Sequence, residues 1–549
     1  MISFYLNGKP HTISQLNPNT TVLEYLRLHT RQMDTKEGCG SGDCGACTVM
    51  AQRLPTSAAA PAPFYTLNAC ITLLSLMDNH HIMTAAYLAD NPENHPERAQ
   101  LHPAQQAMVD CHGSQCGFCT PGFIMSLASV YENKRMQTAQ DANNDELSTD
   151  ELSYDEIVAS ISGNLCRCTG YRPIIEAGLS MQKIAQQRAT DQVSAKNLSK
   201  ILGTDAMTKT TAQADILSNT SVNLQTIAPA LIEGSRQLFI PQSTDELDQL
   251  LAVYPKATIW AGGTDLGLTV TQNLVDHDVI IQLAAIESLK SWSVIDADDK
   301  NDQSSSDAAI QTATQTLIFG AGMSYKGMLP ALEQYFPEFA ELFERIASPQ
   351  IRNMGTIGGN VANASPIGDL PPILLALDAN IHIRHCDGNS DSSDQPFVDE
   401  ILPLSEFFLD YKKTKLRAGS YVVAIHIPLL QDNQHLFIHK ISKRYEDDIS
   451  ACLVAVRLSL SADSTMIKNA KIGLGGMAAV PLLVENCQQA LIGQPFKVAS
   501  FEQAAKALPL DVSPMTDVRA SREYRLHVVQ RLLIKCGKQL IKGAQTESA

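Results

Sequence analysis

The chain has 549 residues, 44% of them hydrophobic, with 42 Lys and Arg set against 58 Asp and Glu, a formal net charge of −16. That length predicts about three or four domains with cores of ordinary size, and that charge argues against nucleic acid as the main partner. The opening "MISFYLNGKPHTIS" lacks a charged leader followed by an apolar stretch. No run reaches the roughly 18 apolar residues of a spanning helix, so the expectation is a soluble, cytoplasmic protein with no membrane partner. In that compartment thirteen cysteines read as metal ligands or free thiols rather than disulfides.

The chain begins with Ile2, Phe4 and Leu6 alternating with polar residues and running into Asn7-Gly8, a hairpin turn signal. A short helix fits "TVLEYLRLH". Then comes "EGCGSGDCGACTV", residues 37–49. Cys39, Cys44 and Cys47 are spaced C-x4-C-x2-C, and Cys70 follows after 22 more residues, the plant-type [2Fe–2S] spacing. Four thiolates concentrate negative charge, which backbone N–H groups aimed at the sulfurs offset. Glycines let the backbone wrap closely enough to do so. A zinc site or a flexible Gly/Cys loop is the alternative, although zinc ribbons favour paired C-x2-C knuckles.

Residues 103–111 read as a helix, followed by "GSQCGFCTPGF" with Cys116 and Cys119. Thr120-Pro121 resembles an N-cap followed by proline at the first helical position, opening a further helix. The acidic, Asn-rich stretch 137–150 reads as a solvated insertion. Ser153-x-x-Glu156 is a capping-box signature for another helix, which leads to "GNLCRCTGYRPI" with Cys166 and Cys168. Two cysteine pairs at helix ends predict a second four-thiolate site in an all-α domain, with zinc as a rival by spacing alone. Cys111, Cys386, Cys452, Cys487 and Cys536 have no ligand spacing and read as free thiols.

Residues 187–232 are polar and weakly periodic, a linker signature. "FIPQSTDELDQLL" then opens a new domain, and "TIWAGGTDLGL" is an apolar strand running into a glycine turn of the kind that offers N–H groups to phosphate. Neither this stretch nor "GAGMSYKG" is the G-x-G-x-x-G fingerprint. "IRNMGTIGGNVANASPIGDLPP", residues 351–372, places two glycines beside Asn360 and follows them with Asp369, a set able to serve a pyrophosphate and a ribose or ribityl chain. Later, "GSYVVAIHIP" and "ISACLVAVRLSL" read as strands and "REYRLHVVQRLLIKCGKQL" as a closing helix. The segments 294–316 and 386–396 read as polar loop excursions.

In this order, "GCGSGDCGACTV", "GSQCGFCTPGF" and "GNLCRCTGYRPI" resemble the iron–sulfur half of the molybdenum hydroxylases, which include xanthine dehydrogenases, aldehyde oxidases and carbon monoxide dehydrogenases. "AGGTDLG" and the 351–372 stretch resemble the flavoprotein domain of the same family. The resemblance implies a multidomain α+β chain. Its parts would be a β-grasp plant-type ferredoxin domain (1–88), a four-helix [2Fe–2S] domain (89–190), a linker (191–232), an α+β FAD-binding domain of the vanillyl-alcohol-oxidase-like type (233–414) and a small α+β C-terminal flavoprotein domain (415–549). It implies two [2Fe–2S] clusters, held by Cys39, Cys44, Cys47 and Cys70 and by Cys116, Cys119, Cys166 and Cys168. By motif, Gly262, Gly263, Thr264, Asp265, Thr356, Gly358, Gly359, Asn360, Asp369 and Lys440 would contact FAD.

The resemblance points to the xanthine dehydrogenase branch, with this chain as an iron–sulfur/FAD subunit and the molybdenum cofactor on a large partner subunit in a dimer of heterodimers. Electrons from a purine oxidised at molybdenum would pass through both clusters to FAD and then to NAD+. No side chain here need act as a general acid or base. The alternatives are the equivalent subunit of an aldehyde- or N-heterocycle-oxidising relative, or a stand-alone NADH-dependent iron–sulfur flavoprotein reductase.

Overall fold

The computed structural model describes residues 1–55, 61–89, 100–143, 151–190, 227–296, 315–386 and 397–547. Most of the expected linker and much of the three polar insertions (144–150, 297–314 and 387–396) lie outside these residues. The chain divides into two compact units, the first being Met1–Ile240 with Gly262–Gln282 and Ser348–Met354, the second the remainder.

The first unit opens with strands Ile2–Leu6 and Lys9–Ile13, joined by a turn in which Asn7 and Gly8 both have positive φ (51° and 75°). That is the backbone a two-residue hairpin demands. Ile2, Phe4 and Leu6 face the core, as the alternation predicts. Strands Thr48–Arg53, Tyr65–Asn68 and His80–Met83 complete a five-stranded sheet in which His80–Met83 runs parallel to the first strand. Thr21 caps the helix Val22–Glu24, which continues as a wider turn over Tyr25–His29.

Four helices follow: Pro103–Asp110, Thr120–Asn143, Tyr154–Ile161 and Arg172–Thr190. The Ser153 and Glu156 side chains form the expected reciprocal capping box. The second helix runs on through residue 143, so 137–143 are helical rather than part of a loop insertion. Phe123, Leu127, Ile157 and Ile174 from the helices share one apolar core with Met50, Phe64 and Met83 from the sheet.

A hairpin of Leu231–Glu233 and Arg236–Phe239 also belongs to this unit. Val279–Gln282 pairs parallel to its second strand, and Ile232 N–H donates to the Ser14 carbonyl.

The second unit holds a five-stranded antiparallel sheet in the order Trp292–Ile295, Thr316–Gly320, Tyr421–Pro428, Asn380–Cys386, Phe397–Pro403. Helices Tyr325–Tyr335, Pro337–Phe343, Ile357–Asn363 and Leu370–Ala376 pack against it around Phe319, Phe336, Phe339 and Ile373. A second sheet, Gln434–Ile441, Cys452–Leu460, Ile467–Gly475 and Leu482–Leu483, is covered by helices that include Val498–Ala507 and Arg522–Glu547. Tyr421–Pro428 pairs with strands on both sides in the first of these sheets. The change of sheet therefore falls between Pro428 and Gln434, not at residue 415, because the apolar run "YVVAIHIP" fills the centre of a sheet whose other strands precede it.

Candidate metal centres and flavin site

The first cysteine loop folds around its own sulfurs. Gly40, Gly42 and Gly45 have φ of 64°, 81° and 65°, a region closed to most side chains. A Cβ on Gly38 would lie 2.9 Å from the Cys44 sulfur. The Cys47 and Cys70 sulfurs are 3.3 Å apart and buried, and Ser41 N–H points at the Cys39 sulfur at 3.4 Å. Asn68 ties the loop down by donating to the Gly42 carbonyl at 2.7 Å. Two further braces come from more than 200 residues away: Thr271 Oγ1 donates to the Gly40 carbonyl (2.8 Å), and Gln272 Nε2 donates to the carbonyls of Cys39 (3.2 Å) and Gly40 (3.0 Å). No spacing signal in the sequence marks these two residues.

Hydrogen bonds with Cys44 and Cys70 hold the Cys39 thiol far below its ordinary pKa. The same contacts with Cys39, followed by burial, push Cys44 and Cys70 far above theirs. Four thiolates packed this closely require positive charge among the sulfurs, which iron would supply.

The second set lies at the helical domain. The Cys166 and Cys168 sulfurs are 3.8 Å apart, Cys168 and Cys116 are 3.8 Å apart, and the Cys119 thiol hydrogen-bonds Cys166. Burial opposes ionisation of Cys166, but the Thr169 hydroxyl at 3.0 Å and the N–H groups of Thr169 and Cys168 outweigh it, bringing the thiol down to about 7. Burial first, then Cys166, pushes Cys119 up to about 12. The Tyr171 hydroxyl accepts from Cys166 N–H at 3.0 Å and fixes the turn.

Among the described residues no group of three or more His, Cys, Asp and Glu side chains is arranged to hold a single metal ion as it stands. The sulfurs instead make a run of close contacts in each set, Cys44–Cys39–Cys70–Cys47 in the first and Cys119–Cys166–Cys168–Cys116 in the second. The donor set, all sulfur with backbone N–H groups directed at it, fits a two-iron cluster.

Cys111 stands apart. It caps the helix Pro103–Asp110, with Ser180 Oγ 3.6 Å from its sulfur. Cys452, Cys487 and Cys536 are buried in the core of the second unit, where burial pushes each thiol up to about 12.

The residues expected to contact flavin divide between the units. In the first, Gly262, Gly263, Thr264 and Asp265 form the turn that enters helix Leu266–Thr271, with Gly263 at φ 71° and its carbonyl accepting from Gly267 N–H at 2.7 Å. In the second, Thr356 caps Ile357–Asn363 by accepting from Gly359 N–H at 3.1 Å, so its hydroxyl is engaged locally. Gly358 packs on Ala321 so tightly that a Cβ would meet it at 2.5 Å. Asn360 Oδ1 is buried and has no hydrogen-bond partner among the described residues, an acceptor that a ribityl or ribose hydroxyl would satisfy.

Asp369 and Lys440 are brought together. Lys440 is buried on its strand, and its Nζ donates to Asp369 Oδ2 and to the Arg345 carbonyl, both at 2.8 Å. Ser450 Oγ donates to the other carboxylate oxygen. Lys440 is therefore not part of a solvated charged loop. That loop begins after it, where Arg345 stacks on the Tyr445 ring at 4.5 Å and Asp448 accepts from the N–H groups of Lys443 and Arg444.

Four family descriptions match the chain in succession: "2Fe-2S iron-sulfur cluster binding domain" over 4–75, "[2Fe-2S] binding domain" over 84–179, "FAD binding domain in molybdopterin dehydrogenase" over 234–430, and "CO dehydrogenase flavoprotein C-terminal domain" over 437–540. This succession of domains fits an iron–sulfur/FAD subunit of the molybdenum hydroxylase family. The chain carries the iron–sulfur and FAD-binding domains of that family of oxidoreductases.

Among its relatives, xanthine dehydrogenase 1 of Arabidopsis thaliana is 27% identical, covering 92% of this chain and 37% of the relative. Xanthine dehydrogenase/oxidase of Gallus gallus is 26% identical, covering 93% and 38%. Aldehyde oxidase 1 of Bos taurus is 26% identical, covering 98% and 39%. The chain thus spans under two-fifths of these relatives' length. Of solved structures, carbon monoxide dehydrogenase from Hydrogenophaga pseudoflava matches at a TM-score of 0.47 and 22% identity, covering 55% of this chain and 96% of that one. Quinoline 2-oxidoreductase from Pseudomonas putida 86 matches at 0.47 and 22%, covering 57% and 98%. No helix among the described residues is long and apolar enough to cross a membrane.

Proposed function

We propose that this chain carries electrons in a xanthine dehydrogenase-type molybdenum hydroxylase. The electrons come from a purine oxidised at a molybdenum centre on a partner subunit, and pass by way of two [2Fe–2S] clusters and FAD to NAD+. The observation that carries this reading is two separate four-cysteine sets gathered within one unit, followed in the same chain by a flavin domain. Similarity to xanthine dehydrogenases over more than nine-tenths of the chain supports a role in a molybdenum hydroxylase of this type.

Cys39, Cys44, Cys47 and Cys70 would hold one cluster, and Cys116, Cys119, Cys166 and Cys168 the other. Gly262 to Asp265, Thr356, Gly358, Gly359, Asn360, Asp369 and Lys440 would serve FAD. Bound there, the clusters supply one-electron carriage and the flavin the exchange between single electrons and a hydride. The chain's own residues hold and tune. Thr271 and Gln272 brace the first loop, Thr169 stabilises negative charge on Cys166, and the buried Asn360 Oδ1 offers an acceptor left unpaired among the described residues. The proposed assembly is a cytoplasmic dimer of heterodimers.

Metal and flavin analysis of the natively purified protein tests this. Four irons per flavin are expected, with molybdenum in a co-purifying chain. Freed of that partner, the chain should reduce a dye with NADH and leave xanthine untouched. Xanthine oxidation by rigorously partner-free protein rules the assignment out.

A further inference from the structure

The two cysteine sets meet through backbone. Leu165 N–H, beside Cys166, donates to the carbonyl oxygen of Cys44 at 2.9 Å. This joins a residue of the first set to a residue of the second by one peptide unit and one hydrogen bond. Such an approach leaves no room for side chains. Gly45 has φ of 65°, and a Cβ on it would lie 2.1 Å from the Gly163 carbonyl oxygen. A Cβ on Gly122 would lie 2.3 Å from the Gly45 carbonyl oxygen.

Buried Asn164 fills the seam with every side-chain polar atom used. Its Nδ2 donates to the Gly45 carbonyl (2.9 Å) and to Thr48 Oγ1 (3.2 Å), and its Oδ1 accepts from Ser126 Oγ (2.6 Å). Gln350, fully buried behind it, donates to Thr48 Oγ1 at 3.0 Å and to Asn164 Oδ1 at 3.4 Å.

We propose that Asn164, backed by Gln350, is a positioning residue for electron exchange between the clusters, acting by holding the Cys44 carbonyl on the Leu165 N–H. The inference rests on the cluster assignment above. The exchange itself moves one electron: one cluster is oxidised by one equivalent, the other is reduced by one, and no proton moves and no bond breaks. A buried amide donating to both a loop carbonyl and a hydroxyl fixes their separation more tightly than apolar packing would, because hydrogen bonds are directional and hold a narrow range of distance.

The test uses the full chain with its cofactors. A flash-activated deazaflavin photoreductant injects less than one electron per protein, and rapid-freeze EPR follows the redistribution between the two cluster signals. Redox titration gives both midpoint potentials, and iron analysis gives occupancy. For Asn164→Ala the expected result is slower redistribution with four irons kept and both potentials in place. Unchanged redistribution alongside a lower unfolding temperature would make Asn164 a structural weld and overturn the proposal. If Asn164→Ala loses iron, Gln350→Ala, which removes only the backing bonds, is read in the same way. A wild-type protein without two cluster signals refutes the cluster assignment itself, and is told apart because it needs no variant.

Discussion

Replacing Lys440 by methionine tests whether the buried Lys440–Asp369 pair organises the flavin domain. The lysine side chain is 1% exposed and the carboxylate 10%, with 2.8 Å between them. Methionine keeps the length of the stem, so little apolar packing is lost. The variant instead leaves Asp369 with Ser450 alone and the Arg345 carbonyl without its donor. Breaking a buried pair from one side costs about 3–5 kcal/mol, and the unpaired carbonyl adds about 1–3 kcal/mol at most. Asp369→Asn should cost less, since the amide oxygen can still accept from Lys440 Nζ and the Ser450 hydroxyl can turn to accept from the amide N–H. The double variant should fall well short of the sum of the singles, with a coupling of about 0.5–3 kcal/mol. Urea unfolding followed by circular dichroism gives these differences, and flavin content after gel filtration reports the site. A loss below about 1 kcal/mol for Lys440→Met, the range of an exposed pair, or strict additivity in the cycle, would refute the reasoning.

Cys116→Ser should abolish or grossly alter one cluster's EPR signal while the other persists, whereas Cys111→Ser should leave both. Loss of a cluster from the Cys111 variant would redraw the ligand sets. In the helical domain, Glu132 is buried against His102 at 3.0 Å and Arg135 at 2.8 Å. Burial raises its pKa, but the His102 and Arg135 contacts outweigh that and hold it below its ordinary value. A carboxylate depressed in the fold contributes stability that is complete above its unfolded pKa of about 4.3 and is lost as pH falls through the lower folded value. Acid titration of Glu132→Gln, followed by circular dichroism, should therefore show a shallower loss of stability below about pH 4.3 than the wild type; parallel curves would exclude this source. Asp448, whose pKa is lowered because the N–H bonds from Arg444, Lys443 and Ile449 outweigh burial, holds the turn of the charged loop. Asp448→Ala should change the NADH-to-flavin rate in stopped flow and leave both cluster spectra alone, and an unchanged rate would remove the loop from hydride delivery.

The sequence by itself determined whatever is encoded over a few residues. The alternation of Ile2, Phe4 and Leu6 specifies a half-buried strand, Asn7-Gly8 the tight hairpin, and Ser153 with Glu156 the start of a helix, because each signal acts through backbone conformation or a bond to the next turn. The C-x4-C-x2-C spacing and its glycines announce a loop that wraps sulfur for the same reason. Whether sulfurs in different segments meet is a tertiary matter, as is how they are held. Asn164 reaches Gly45 across 119 positions, Gln350 reaches Thr48 across 302, and Gln272 reaches the Cys39 carbonyl across 233. An isolated Asn or Gln carries no period or spacing that names such a partner. The same limit explains the strand Tyr421–Pro428, whose apolar run reads as a strand anywhere but joins a particular sheet only through neighbours at 316–320 and 380–386. It also explains the helix that continues to residue 143 through a polar stretch, since helical hydrogen bonds already begun cost less to extend than a new turn costs to nucleate.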